Sequence, residues 1–179
     1  MANILLISEE TLKEMSLIGD NVESQFILPS IELAQEQGLQ TIIGTKLLRK
    51  LQTLVDDGSI TDSTNNKYKE LLDDYITIYL SYQVMAEIQI PLSYKMRNSG
   101  VIQNQDDKQI ALSLKDVMFI KQFYDDKALW FSKRLSDYLC ANGTLYPEYK
   151  KYDTVADINA SESHYNSGIC LGPKVKLNK

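Results

Sequence analysis

Apolar residues recur along this chain mostly at three- and four-residue steps, the spacing that lines one side of an α-helix, and polar interruptions divide it into successive helices. Ser8 ahead of Glu9, Glu10 and Thr11 has the form of an N-cap with an acidic first turn, favoured there by exposed amides and the helix dipole. It predicts a short helix over 9–17, stopped near Gly19. Asp20 or Asn21 then caps a second helix, in which Val22, Phe26, Ile27, Leu33 and Ala34 hold the period as far as Gly38. Pro29 should kink it, because its ring removes a donor and crowds the preceding turn. Residues 39–43 read as an apolar link, Gly44 as a break, and Thr45 as the cap of a helix with Leu47, Leu48, Leu51, Leu54 and Val55 on its inner side.

After a polar loop over 62–66, Tyr68, Leu71, Leu72, Tyr75, Tyr79, Tyr82 and Ala86 form one helical face, and Ile76, Ile78, Leu80, Val84 and Ile88 cover other sides. This helix, over 66–89, would span about 36 Å. Pro91 favours extended geometry at Ile90, and 92–105 reads as a loop or short hairpin around Asn98-Ser99-Gly100. Ser113 with Asp116 resembles a capping box and opens the clearest helix, whose stripe is Val117, Ile120, Tyr124, Ala128, Phe131, Leu135 and Tyr138. It ends near Asn142-Gly143. The pattern predicts a mainly α fold: an elongated antiparallel helical bundle with a long loop or short hairpin and an extended C-terminal arm. The helical domain is placed at 1–148 and the arm at 149–179, the arm gaining order only by contact with something else. Its removal from residue 150 onward should therefore leave the helicity and melting temperature of the monomer nearly unchanged while abolishing assembly.

With 179 residues the chain suits one domain, and a net charge of −5 argues against a protein whose main task is gripping phosphates. The first ten residues lack the positive region and apolar run of a signal peptide. Cys140 and Cys170 have no Cys or His partner at metal spacing, which points to thiols in a reducing setting. The apolar stretch over 75–92 contains Ser81, Gln83, Gln89 and Pro91, and is expected to be a buried or subunit-contact helix rather than a membrane span.

Candidate chemistry is thin. The single histidine, His164, lies in the arm, away from any core-anchored nucleophile. Adjacent acids at 56 and 57, 73 and 74, 106 and 107, and 125 and 126 point about 100° apart on a helix and seldom converge. Gly58 does not fit a calcium loop, since Thr53, Val55 and Thr64 stand where its ligands belong. Gly44-Thr45-Lys46 lacks the earlier glycine of a phosphate loop. No enzyme activity, cofactor or metal is expected. Two groups stand out among the eleven tyrosines: Tyr75, Tyr79 and Tyr82 read as core filling, while Tyr138, Tyr146, Tyr149, Tyr152 and Tyr165, towards the C-terminal end, read as interface, where large area and a polar tip are useful.

Leu6-Ile7-Ser8-Glu9-Glu10-Thr11-Leu12-Lys13, Asn21-Val22, Pro29-Ser30-Ile31, Ala34-Gln35 and Ile42-Ile43-Gly44-Thr45 resemble head-to-tail connector proteins of tailed phages, in particular the ring or adaptor proteins of crAss-like and related phages of Bacteroidetes. Tyr94-Lys95-Met96-Arg97-Asn98, the helix over 114–138, Tyr138-Leu139-Cys140-Ala141-Asn142, Tyr146-Pro147-Glu148-Tyr149 and Ser167-Gly168-Ile169-Cys170-Leu171-Gly172 extend the likeness over nearly the whole chain. The sequence departs from it at Leu48, where an aromatic is commoner, and in its more basic last residues.

The resemblance implies a structural subunit of a ring, twelve-fold, stacked between the portal protein and the next tail or neck protein in the virion and made in the host cytoplasm. DNA would pass through the lumen without specific binding, and no membrane is involved. Contact with neighbours is expected from Tyr94, Lys95, Met96 and Arg97 in the loop and from Tyr146, Tyr149, Tyr152, Tyr165, Ile169 and Leu171 towards the C-terminal end. The alternative is a helical adaptor or regulatory module that binds a single protein partner.

Overall fold

The computed structural model describes residues 4–19, 21–97, 100–103, 113–149 and 157–160. The described chain is mainly helical. Helix α1 spans Glu9–Met15, and its Ser8 side chain accepts from the Thr11 amide at 3.1 Å, the cap expected there. Helix α2, Ser24–Leu33, runs through Pro29 into a π-helical turn, Ala34–Leu39, and on into α3, Gln40–Ile43. The expected stop at Gly38 and the apolar link after it are therefore replaced by helix as far as Gly44. Gly38 is there for packing: a Cβ on it would lie 2.5 Å from the Tyr79 hydroxyl.

Gly44 occupies the position before α4, Thr45–Asp56, with φ of +81°, a left-handed conformation open to glycine. Thr45 was expected to cap α4, but it is the first residue of that helix and Gly44 holds the cap position. The Thr45 hydroxyl accepts from the Ile158 amide at 2.9 Å, while its own amide donates to the Ile158 carbonyl at 2.9 Å. Ala160, beside Gly44, is buried in the common core. The arm drawn from residue 149 is thus corrected for its described parts: Tyr149 is buried in the body, and 157–160 are held to it by the burial of Ala160 and two hydrogen bonds between Ile158 and Thr45.

Helix α5, Asn66–Leu71, continues through a second π-helical turn, Leu72–Ile76, into α6, Thr77–Glu87. The amide of Thr77 donates to the Leu72 carbonyl, five residues back, and the Thr77 hydroxyl donates to the same oxygen at 2.8 Å. Ile90 is helical rather than extended, since Gln89–Ser93 forms a short helix, α7, with Pro91 in its first turn, where a missing N–H is harmless. The expected hairpin follows: β1, Tyr94–Arg97, pairs antiparallel with β2, Gly100–Gln103, Tyr94 opposite Gln103 and Arg97 opposite Gly100.

Helix α8, Leu114–Ala141, has Ser113 as its cap and extends about 42 Å. Tyr75 stacks on Tyr138 at 4.1 Å, Tyr82 on Phe131 at 4.9 Å, and Glu87 pairs with Lys121 at 3.5 Å. As the residue number rises on one side it falls on the other, so the 66–87 helix and α8 are antiparallel. Their shared core includes Ile31, Leu39, Leu47, Leu51, Leu80 and Leu135.

Candidate interaction surface

Of the expected stripe on α8, Val117, Ala128 and Leu135 are buried and Ile120, Tyr124, Phe131 and Tyr138 half-buried. At about 100° per residue these lie within a sector of about 80° that faces α6. Phe119, Phe123 and Trp130 fall within about 40° of one another, roughly 130° from that sector's centre, and so project outward. Phe119 is 76% exposed, Phe123 51% and Trp130 61%. Leu114, Met118 and Leu129, the last 69% exposed, form an aliphatic flank on the opposite side of the inward stripe.

The aromatic strip has internal order. Phe123 meets Tyr124 edge-on at 5.4 Å, and Trp130 meets Phe131 edge-on at 4.8 Å. The Lys127 ammonium lies 5.4 Å from the centre of the Phe123 ring, a cation–π distance. Tyr82, Phe123, Asp126, Lys127, Trp130 and Phe131 line an open depression of about 490 Å³ here. Across the helix Gly38, Ile42, Asp125, Asp126 and Leu129 border a second depression of about 350 Å³. The sequence reading missed this surface because it assigned α8 a single apolar stripe; Phe119, Phe123 and Trp130, at positions i, i+4 and i+11, were the signal.

The C-terminal tyrosines expected at an interface turn inward where they are described. Tyr146 is fully buried: its hydroxyl donates to the Lys67 carbonyl at 2.9 Å and lies 3.2 Å from that of Tyr138. Tyr149 is also buried, its hydroxyl 3.7 Å from the Cys140 sulfur. Both are corrected from surface to core, since the turn after α8 brings Tyr146 against Lys67 and Tyr68 of α5 and Tyr149 back against Cys140. Tyr94 is half-buried; Lys95, Met96 and Arg97 are described only as strand backbone; Tyr152, Tyr165, Ile169 and Leu171 lie outside the described residues, as do His164 and Cys170.

Burial and a hydrogen bond to Glu148 push the Tyr68 phenol up to about 12. Burial likewise raises Tyr146, helped by Tyr138, and Tyr79, helped by Glu87 and Asp125. These phenols stay protonated at neutral pH and serve as hydrogen-bonding core groups; none is shifted towards use as a general base. Asp73 and Asp74 are exposed on the second π-helical turn. Among the described residues no three His, Cys, Asp or Glu side chains gather as a metal site, and no helix is long and apolar enough to cross a membrane.

A family model described as a family of unknown function, DUF6712, matches residues 39–158, from the end of the first π-helical turn to the segment bonded to Thr45. No curated protein and no solved structure matches the chain.

Proposed function

For this chain, which belongs to DUF6712, a family of unknown function, we propose a structural, non-enzymatic role as a subunit of a phage head-to-tail connector ring. The observation that carries an assembly role is the outward strip of Phe119, Phe123 and Trp130. Three aromatic side chains exposed to that extent present on the order of 400 Å² of apolar surface, the size of patch that marks an interaction site on a monomer. Water solvates such a strip poorly, and burying it against another protein is favourable.

The specific identity as connector rests on the sequence likeness along nearly the whole chain, and the physical properties are compatible with it. A rigid antiparallel helix pair provides a body that transmits load, and a net charge of −5 weakens non-specific binding to DNA in a lumen. In this reading the subunit assembles in the host cytoplasm into a ring around the DNA channel, between portal and tail, and the ring resides in the neck of the virion.

Native mass spectrometry of the purified full chain, alone and mixed with a phage portal protein, tests the proposal. A closed ring of identical subunits that attaches to the portal is expected. A chain that remains monomeric and binds no portal, but captures one unrelated protein stoichiometrically, would replace the connector with a single-partner adaptor.

A further inference from the structure

Resting on the reading of this chain as a self-assembling subunit, we infer that the aromatic strip of α8 is covered by the segment 169–177 of a neighbouring copy. The strip itself is too apolar to stay bare, and its geometry limits what can lie on it. Phe119 to Trp130 covers eleven residues of helix, about 17 Å, in a narrow line rather than a broad patch. A narrow line with an open depression beside it suits an extended peptide.

The chain contains such a peptide. In Gly168-Ile169-Cys170-Leu171-Gly172-Pro173-Lys174-Val175-Lys176-Leu177 the apolar residues Ile169, Leu171, Val175 and Leu177 all stand at odd positions. An extended backbone alternates its side chains, so these four share one side over about 26 Å, with Lys174 and Lys176 on the other. Charge agrees with the pairing. Residues 161–179 carry three lysines and one glutamate, a formal +2, which leaves −7 on residues 1–160. At the strip itself Asp126 and Lys127 both line the depression and balance one another, so the charge difference acts between the whole body and the tail.

The assembly reading, in which each copy contacts the next, selects a neighbour's tail over the chain's own. Ala160, which precedes this segment, lies beside Gly44 in the body. A donor segment on one side and an acceptor strip on another are the two unlike surfaces that a head-to-tail ring requires.

Trp130 is the only tryptophan, and it sits in the acceptor, so its emission reports coverage. The test uses the full chain in three forms: unaltered, a donor variant with Leu171→Asp and Leu177→Asp, and an acceptor variant with Phe119→Ser and Phe123→Ser. Circular dichroism checks that each retains its helix content. The unaltered chain should assemble with blue-shifted Trp130 emission. Each variant should lose assembly by roughly tenfold or more in concentration, as anchor truncations do. Mixing the two variants should restore one donor–acceptor contact and give a one-to-one heterodimer that cannot close into a ring.

A donor variant that assembles like the unaltered chain overturns the inference and leaves the ring reading standing. Failure of the mixed variants to pair also overturns it. An unaltered chain that is monomeric with Trp130 covered shows the tail folding back on itself, against the inference; a monomer with Trp130 exposed removes the assembly reading as well.

Discussion

At Gly38 the missing side chain decides how closely the first long helix approaches the 66–87 helix. Replacing a mid-helix glycine with alanine ordinarily stabilises by about 1 kcal/mol. Here the new methyl would meet the Tyr79 hydroxyl at 2.5 Å, so Gly38→Ala is expected to destabilise instead. In a Tyr79→Phe background the obstructing oxygen is gone and the next ring atom is 3.5 Å away, so the same substitution should turn neutral or stabilising. Urea denaturation of the four proteins in that cycle checks the change of sign. Gln35 is a second residue whose role is local and definite: fully buried, its amide accepts from the Leu6 amide at 2.9 Å and donates to the Ile4 carbonyl at 3.0 Å. Gln35→Leu strands a buried N–H and should cost about 1–3 kcal/mol in the same measurement.

Helix α8 joins two surfaces with different demands, and perturbing them separately should have different consequences. Phe119→Ser with Phe123→Ser removes outward apolar groups and should leave monomer stability within about 0.5 kcal/mol, as expected for exposed sites. The inward end of the helix behaves otherwise. There Tyr138 and Tyr146 meet Tyr68, whose folded-state value of about 12 exceeds the ordinary 10. A phenol with a raised folded value stabilises fully below its unfolded value, and that contribution disappears as pH climbs from 10 to 12. Tyr146 is shifted in the same direction by burial, so its contribution adds to the loss. Denaturation midpoints should therefore fall steeply above pH 10, and Tyr68→Phe should flatten the fall. An unchanged slope in that variant would mean that Tyr68 is not the group titrating.

For the molecule as a whole, the position of a stop codon tests how far the folded body extends. A chain ending after residue 160 retains the Thr45–Ile158 bonds and buried Ala160; one ending after 149 loses both. Two hydrogen bonds and a small apolar contact amount to about 2 kcal/mol, or about 4–8 °C in melting temperature for a chain of this size. Calorimetry should place the first truncation near the full-length donor variant with Leu171→Asp and Leu177→Asp, which like it lacks the assembly contact, and the second lower by that interval. Equal melting temperatures would return residues 157–160 to the status of a tail. Gly44→Ala should resemble the shorter truncation, because its methyl would enter a space 3.0 Å from the Ala160 amide at a backbone conformation hostile to it.

Local chemistry in the sequence determined the helical class, the caps at Ser8 and Ser113, the hairpin around 98–100, and the antiparallel partnership of the helices near 66–87 and 114–141. Caps and apolar periods act within a turn or two of chain, which is why they could be read without the fold. Only the tertiary structure decided the rest. Gly38 looked like a helix stop because its purpose, space for Tyr79, lies on another helix. Thr45 looked like a cap because its partner, Ile158, is over a hundred residues away. Tyr146 and Tyr149 looked like interface residues because nothing beside them in sequence indicates that the turn after α8 folds them into the core. The exposed strip of Phe119, Phe123 and Trp130 appears only once the opposite side of α8 is committed to α6, since an apolar residue becomes an interaction site by being left uncovered when the rest of the chain has packed.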